Sequence, residues 1–282
     1  MTDHPALAPG HVAVITGGAS GIGLAAAERF ASFGMKVALA DIDEAALETA
    51  RAQVANVAAV PQDVLAVLTD VSRREDIEAL KSRVYQAFGA VHVLMNNAGR
   101  EGGGKLLGGA DAWQKTLGVN LWGVINGIQV FAPDMIAAKT PGAIINTGSK
   151  QGITTPPGDT AYNVSKAGIK VTTEALAHDL RGIEGCQVTA HLLIPGFTFT
   201  GFTRKRVTEK PVAAWTSEQV VDFMLPALGK GDFYILCPDN DVTRATDEKR
   251  MRWTMDDVIR NRPALSRWHP DYKDEFASYM KD

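Results

Sequence analysis

The feature that most constrains this chain is a rhythm. Short runs of aliphatic and β-branched residues alternate with longer amphipathic segments from His11 to about residue 236. HVAVIT at 11–16 reads as a buried strand, and 21–33 as the helix that follows it. KVALAD at 36–41 reads as a second strand, and 43–54, rich in Ala, Glu and Leu, as a second helix. VLAVLT at 64–69 precedes a helix at 73–88, and VHVLM at 91–95 precedes helical segments that run to about Phe131. GAIINT at 142–147 leads to a long helix at 160–181, with further strands at 187–194 and 232–236. Strands that are apolar throughout are buried on both faces, and strands separated by helices run parallel. The pattern predicts an α/β fold, a Rossmann-like doubly wound parallel sheet with right-handed crossovers.

A glycine-rich turn, Thr16-Gly17-Gly18-Ala19-Ser20-Gly21-Ile22-Gly23, sits between the first strand and the first helix. Gly17 permits the sharp exit from the strand, and Gly21 and Gly23 let backbone approach a pyrophosphate with no Cβ in the way. The helix start adds free N–H groups and partial positive charge. Asp41 closes the second strand about 20 residues further on, where a carboxylate accepts hydrogen bonds from ribose hydroxyls. It would repel a 2′-phosphate. Ser20, rather than Arg or Lys, precedes the second motif glycine, and Lys36 lies at the far end of the strand. These residues point to NAD rather than NADP, although a solvated turn residue is an alternative reading of Asp41.

Tyr162 and Lys166 are four apart within a helical segment and share a face. A tyrosine with a pKa near 10 is a poor base at neutral pH, and a neighbouring ammonium lowers that value. Ser149, just past the fifth strand, can hydrogen-bond the same substrate oxygen. A Tyr-x-x-x-Lys pair alone is common on surfaces. Combined with Ser149 and the glycine turn it indicates hydride transfer between a nicotinamide and a carbinol or carbonyl carbon, with the tyrosine moving the proton.

With these motifs the chain resembles the short-chain dehydrogenase/reductase family over roughly residues 9–236. The motifs are TGGASGIG at 16–23, Asp41, Thr69-Asp70-Val71, Asn96-Asn97-Ala98-Gly99, Asn120, Ser149, Tyr162 with Lys166, and Pro195-Gly196. The resemblance implies that Ser149 orients substrate, that Tyr162 exchanges the proton, and that Lys166 both tunes the tyrosine and binds nicotinamide ribose. It implies a water relay at Asn120 and adenine contacts from Asp70 and Val71. It places Asn97, Ala98 and Gly99 along the cofactor, and Pro195, Gly196, Thr198 and Thr200 at its carboxamide and diphosphate. The expected activity is NAD-dependent interconversion of a secondary alcohol and a ketone. An NAD-retaining epimerase or dehydratase and a non-catalytic NAD-sensing regulator are the alternatives.

Where the family has an aliphatic residue after Asn-Asn-Ala-Gly, this chain has Arg100 and then Glu101. Arg100 contacts a phosphate or acidic substrate, or is a solvated loop charge. Lys150, Gln151, Thr154, Thr155 and Phe197 are candidate pocket residues. The basic run Arg204-Lys205-Arg206 falls where the family has a substrate lid, and reads either as an anion-recognition element or as a solvated helix face.

Residues 1–8 are expected to be a flexible N-terminus, 9–237 a dinucleotide-binding and catalytic domain, and 238–282 a helical extension. In the extension Met251, Met255, Val258 and Ile259 share one helical face, which is expected to be buried against the main domain or a partner subunit, and Pro263 stops that helix. Trp268, Tyr272, Phe276 and Tyr279 form a second, aromatic face. The extension replaces the ending with which many relatives build a tetramer. A homo-oligomer is still expected, a dimer through the 160–181 helix or a tetramer. A net charge of −3 gives no reason to expect nucleic-acid or membrane partners. The two cysteines, Cys186 and Cys237, make no motif and read as small buried hydrophobes. No metal site, secretory signal or membrane span is expected, and the expected location is cytoplasmic.

Overall fold

The computed structural model describes residues 4–200 and 209–281, so the basic run at 204–206 lies outside the described residues. Strands β1 (Val12–Thr16), β2 (Lys36–Asp41), β3 (Val64–Leu68), β4 (Val93–Asn96), β5 (Gly142–Thr147), β6 (Val188–Ile194) and β7 (Tyr234–Leu236) form one parallel sheet in the order 3-2-1-4-5-6-7. The register pairs Val14 with Ala38 on one side and with Leu94 on the other. The order reverses between β1 and β4, which opens a crevice beyond their carboxyl ends.

The continuous apolar strands divide residue by residue between two cores. Ala13, Ile15, Val37, Leu39, Val93, Met95 and Ile145 pack on one face with Phe30 of helix α1 (Gly21–Ser32) and with Leu47 and Val54 of α2 (Glu44–Val57). Val12, Val14, Ala38, Ala40, Leu94 and Ile144 pack on the other, against Ile77 and Leu80 of α3 (Arg74–Phe88). Burying a side chain such as Phe30 contributes about 2–3 kcal/mol. Beyond α4 (Ala110–Leu117), a π turn at Gly118–Trp122 leads into α5 (Gly123–Ala137), which brings Phe131 and Met135 to the second core. A short α6 (Gln151–Thr154) and the long α7 (Thr160–Arg181) follow β5. Helix α8 (Ser217–Gly229) starts with a capping box between Thr216 and Gln219 and returns to the first core through Val220, Met224 and Leu228.

One expectation needs correction, and another is met within the single chain only in part. The described part of the N-terminal segment is not loose. Ala6 and Leu7 are buried in the first core, and His4 meets Thr189 Oγ1 at 3.3 Å. The gain from burying even two small apolar residues holds this stretch down. In the extension, α9 (Arg244–Ile259) forms as expected, but Met255, Val258 and Ile259 are 60%, 79% and 71% exposed. Met251 alone of that set packs on the core, beside Leu236 and Ile194. The anchor is Trp253, whose indole donates to Ser266 Oγ at 2.7 Å. Arg262 stacks 4.0 Å from the Trp253 ring, and Phe276 and Tyr279 of α10 (Lys273–Tyr279) lie 5.1 Å from it. Of the aromatic face, Phe276, Tyr279 and Tyr272 are half-buried and Trp268 is exposed. Cys237 is buried as expected, Cys186 is half-buried, and both are free thiols.

Candidate active site

A cavity of about 560 Å³ lies in the crevice at the carboxyl edge of the sheet. At one end it is lined by Asp41, Ile42, Asp70 and Val71, beyond β2 and β3, and at the other by Ser149, Lys150, Gln151, Tyr162, Lys166 and Phe197. Three interstrand steps separate β2 from β5, a distance of about 14 Å. That span suits an extended dinucleotide with a reacting ring at the β5 end.

The glycine turn fits such a guest. A Cβ on Gly17 would stand 2.8 Å from the Ala98 Cα, and one on Gly23 would stand 2.2 Å from the Gly17 carbonyl oxygen. Backbone packs on backbone there, so only glycine serves. Gly17 and Gly21 also take positive φ angles of 64° and 57°. The turn leaves Gly17, Ser20, Gly21 and Ile22 on the cavity wall at the α1 N-terminus, while Gly23 faces inward and is structural. Thr16 and Asn97 hold the turn. The Thr16 hydroxyl accepts from the backbone of Asn97 (3.0 Å) and Ala98 (3.1 Å), and the Asn97 amide reaches the Thr16 and Gly17 carbonyls at 3.3 Å each.

The Asp41 carboxylate is fixed by three backbone N–H groups. Oδ2 accepts from Ala19 at 3.1 Å, and Oδ1 accepts from Ile42 at 2.8 Å and Asp43 at 3.3 Å. This pins it to the cavity rim instead of leaving it a mobile turn residue. Asp70 is held through Ser72, whose N–H (3.0 Å) and hydroxyl (2.7 Å) both donate to its Oδ1. Ala98, Gly99, Pro195, Gly196, Thr198 and Thr200 complete the wall.

At the other end Asp159 caps α7, accepting from the Tyr162 N–H at 3.2 Å and, through its second oxygen, from the Gly102 N–H at 2.9 Å. The cap puts Tyr162 in the first turn of α7 and ties the Gly-rich loop to it. Lys166, one turn on, is buried, donates to the Thr147 carbonyl at 2.8 Å and lies 5.6 Å from the Tyr162 ring centroid. Burial pushes its pKa down to about 8, so it keeps its charge at neutral pH. The Thr147 hydroxyl in turn donates to Asn97 Oδ1 at 3.2 Å, which links Lys166 to the glycine turn. The Ser149 hydroxyl accepts from the Gln151 N–H at 3.1 Å, which leaves its own proton to donate.

Asn120 sits in the π turn and does not line the cavity. Its side chain receives the Arg100 N–H at 2.7 Å and donates to the Arg100 carbonyl at 2.9 Å and to Ser165 Oγ at 3.0 Å. Among the pocket candidates, Lys150, Gln151 and Phe197 line the cavity, and Thr154, Thr155 and Arg100 do not; Glu101 does. Sequence reasoning missed Ile42, Val119, Thr147 and Gly148 on the wall. Each is next to or near a motif residue in sequence, so the strand ends carried the signal. Asp159 was also missed, although an acid three residues before Tyr162 is a recognisable cap.

A parallel sheet with a glycine-turn dinucleotide cradle at its switch point, and Ser, Tyr and Lys at the far end, defines a nicotinamide-dependent oxidoreductase. Residues 11–211 match the family model for short chain dehydrogenase. The chain belongs to the short-chain dehydrogenase/reductase family. It is 31% identical to 1-deoxy-11-beta-hydroxypentalenate dehydrogenase of Streptomyces exfoliatus over 261 residues, covering 88% of each chain. Among solved structures it is similar to a short chain dehydrogenase/reductase from Burkholderia phymatum in complex with NAD. The TM-score is 0.80 and the identity 34%, over 93% of this chain and 97% of that one. A metagenomic short-chain oxidoreductase in complex with NADP is also similar, with a TM-score of 0.67 and 28% identity, over 82% and 98% of the two chains. Among the described residues no helix is long and apolar enough to cross a membrane, and no group of His, Cys, Asp and Glu is arranged to hold a metal.

Proposed function

We propose that the protein interconverts a secondary alcohol and a ketone with NAD in preference to NADP. The observation that carries the substrate chemistry is Tyr162 and Ser149 on one cavity wall with the buried Lys166 ammonium beneath the tyrosine ring. In the oxidative direction the Tyr162 phenolic oxygen takes the hydroxyl proton, and Lys166 favours the phenolate. Ser149 donates to the same oxygen while its charge changes. Asn120 holds the π turn and the Arg100 backbone in place and serves the proton relay. When bound, the nicotinamide supplies the hydride acceptor for the carbinol carbon.

The preference for NAD rests on Asp41. A 2′-phosphate would meet a carboxylate that its three backbone bonds prevent from turning away. Gly17, Ser20, Gly21, Ile22, Asp41, Asp70, Val71, Asn97, Ala98, Gly99, Pro195, Gly196, Thr198 and Thr200 would hold the cofactor. The bound NAD of the Burkholderia phymatum relative supports this. A homo-oligomer is also proposed, through α7, whose outer face exposes Val164 and Val171. The test is steady-state kinetics over a panel of secondary alcohols and ketones with each cofactor. A kcat/KM at least about tenfold higher with NAD is expected, and parity or a preference for NADP would overturn the assignment.

A further inference from the structure

Lys150 follows Ser149 directly and lines the same cavity, yet its side chain turns toward the C-terminal extension. Its Nζ lies 2.5 Å from Asp247 Oδ2 of α9 and 3.4 Å from Asp239 Oδ2, in the segment after β7. All three side chains are mostly buried, at 15% exposure for Lys150, 8% for Asp239 and 5% for Asp247. The ammonium rests over Gly196, where a Cβ would be 2.8 Å from Asp239 Oδ2 and 3.0 Å from Lys150 Nζ. Asp239 Oδ2 also accepts from the Phe197 N–H at 3.4 Å. A single cluster therefore joins the serine turn, the Pro195–Phe197 loop and the extension.

We propose that Lys150 is a positioning residue for the catalytic end, and that Asp239 and Asp247 of the extension supply the counter-charge that sets the electrostatic potential at Tyr162. The inference rests on the reading of Tyr162 as the proton-exchanging group. A buried ammonium next to Ser149 without partners would add its field to that of Lys166 and over-stabilise the phenolate. Two carboxylates without the ammonium would do the opposite. The cluster offsets the Lys150 charge at the serine turn, and it joins the extension to the active site.

Among the described residues, the other charged or titratable groups facing the cluster are Arg250, 4.0 Å from Asp247 Oδ1, together with Arg267 and Cys237. Lys166 and Glu101 stand on the cavity side. Burial, the larger influence, raises the Asp247 carboxyl above its usual range, and the Lys150 ammonium pulls it back. Burial pushes the Cys237 thiol up to about 12, which keeps it neutral.

The test titrates the Tyr162 phenolate by ultraviolet absorbance in cofactor-free protein, each background being corrected by its own Tyr162→Phe partner. No substrate is needed, so failure of this inference and failure of the alcohol reading stay distinguishable. Asp247→Asn removes a negative charge and should lower the Tyr162 midpoint by about half a pH unit or more. Lys150→Met should raise it by a similar amount. The double variant should return toward the parent value, and Lys150→Arg should stay close to it. If Lys150→Met does not fold, the near-isosteric Asp247→Asn carries the test. One midpoint shared by all folded variants, or shifts of the same sign for Asp247→Asn and Lys150→Met, would overturn the proposal.

Discussion

At the carboxyl edge of the sheet Asp41, Ser149, Tyr162 and Lys166 line an open cavity, whereas toward the amino edge four histidines are spent on one another and on the backbone. His191 uses both ring nitrogens, one on Thr189 Oγ1 and one on the Asp232 carbonyl, each at 2.8 Å. His4 accepts from the Ala6 N–H at 3.2 Å and packs edge-on to His191. His92 accepts from the Val12 N–H at 3.1 Å and stacks on His11 at 3.9 Å. At these four positions the residue type most often linked with proton transfer does structural work, and in the proposed mechanism the proton chemistry falls to a tyrosine. What separates the two edges is whether a polar group faces a cavity or a closed set of partners. Changes to cavity-facing side chains at the carboxyl edge should cost function at little cost in stability, changes at the amino edge should do the reverse, and the backbone-packed glycine turn should cost both.

The largest expected effect on cofactor binding is at the glycine turn. Gly23→Ala drives a methyl into the Gly17 carbonyl, backbone against backbone, at a cost of roughly 1–3 kcal/mol. Isothermal titration should show NAD affinity falling by roughly tenfold to a hundredfold. Unchanged affinity would mean that the turn does not shape the cradle. Asp41→Ala should act less strongly and more selectively. It weakens NAD, relieves repulsion of a 2′-phosphate and narrows the NAD/NADP ratio in kcat/KM by about tenfold. An unchanged ratio would place the discrimination elsewhere.

The smallest effect is expected at the amino edge and should appear in stability alone. Burial and the neighbouring His191 lower the His4 pKa from 6.5 to about 4. Between those values the unfolded chain binds a proton that the folded chain refuses, so stability falls as pH drops from about 6.5 toward 4. His92 and His191 shift the same way, burial being the larger cause for both. Thermal melts at pH 7 and pH 5 should show a Tm loss of a few degrees that His4→Leu reduces, with NAD affinity at pH 7 unchanged. An equal acid loss in the variant would remove His4 from the account.

Much of this was legible from sequence, for reasons that also mark where it ended. The strands are short runs apolar on both faces, and they appear within two residues of where the pattern puts them. The glycines, Asp41, Ser149, Tyr162 and Lys166 stand at strand ends or one helical turn apart, so local spacing placed them. The packing of the extension is not legible in the sequence because helical period tells which residues share a face and not which part of the molecule covers it. Met255, Val258 and Ile259 share one that stays exposed, while Trp253, outside that set, is the anchor. The N-terminal segment was misread because Ala6 and Leu7 are too few to make a pattern. Lys150 meets acids 89 and 97 residues away, and no local spacing marks such a cluster.

The most direct test of the account is Tyr162→Phe, assayed for turnover of a responsive alcohol and for NAD affinity on the same preparation. A loss of roughly 10²–10⁴-fold in kcat is expected, with NAD affinity within about twofold of the parent. Retention of half the parent turnover would contradict it, because the proton would then have another acceptor.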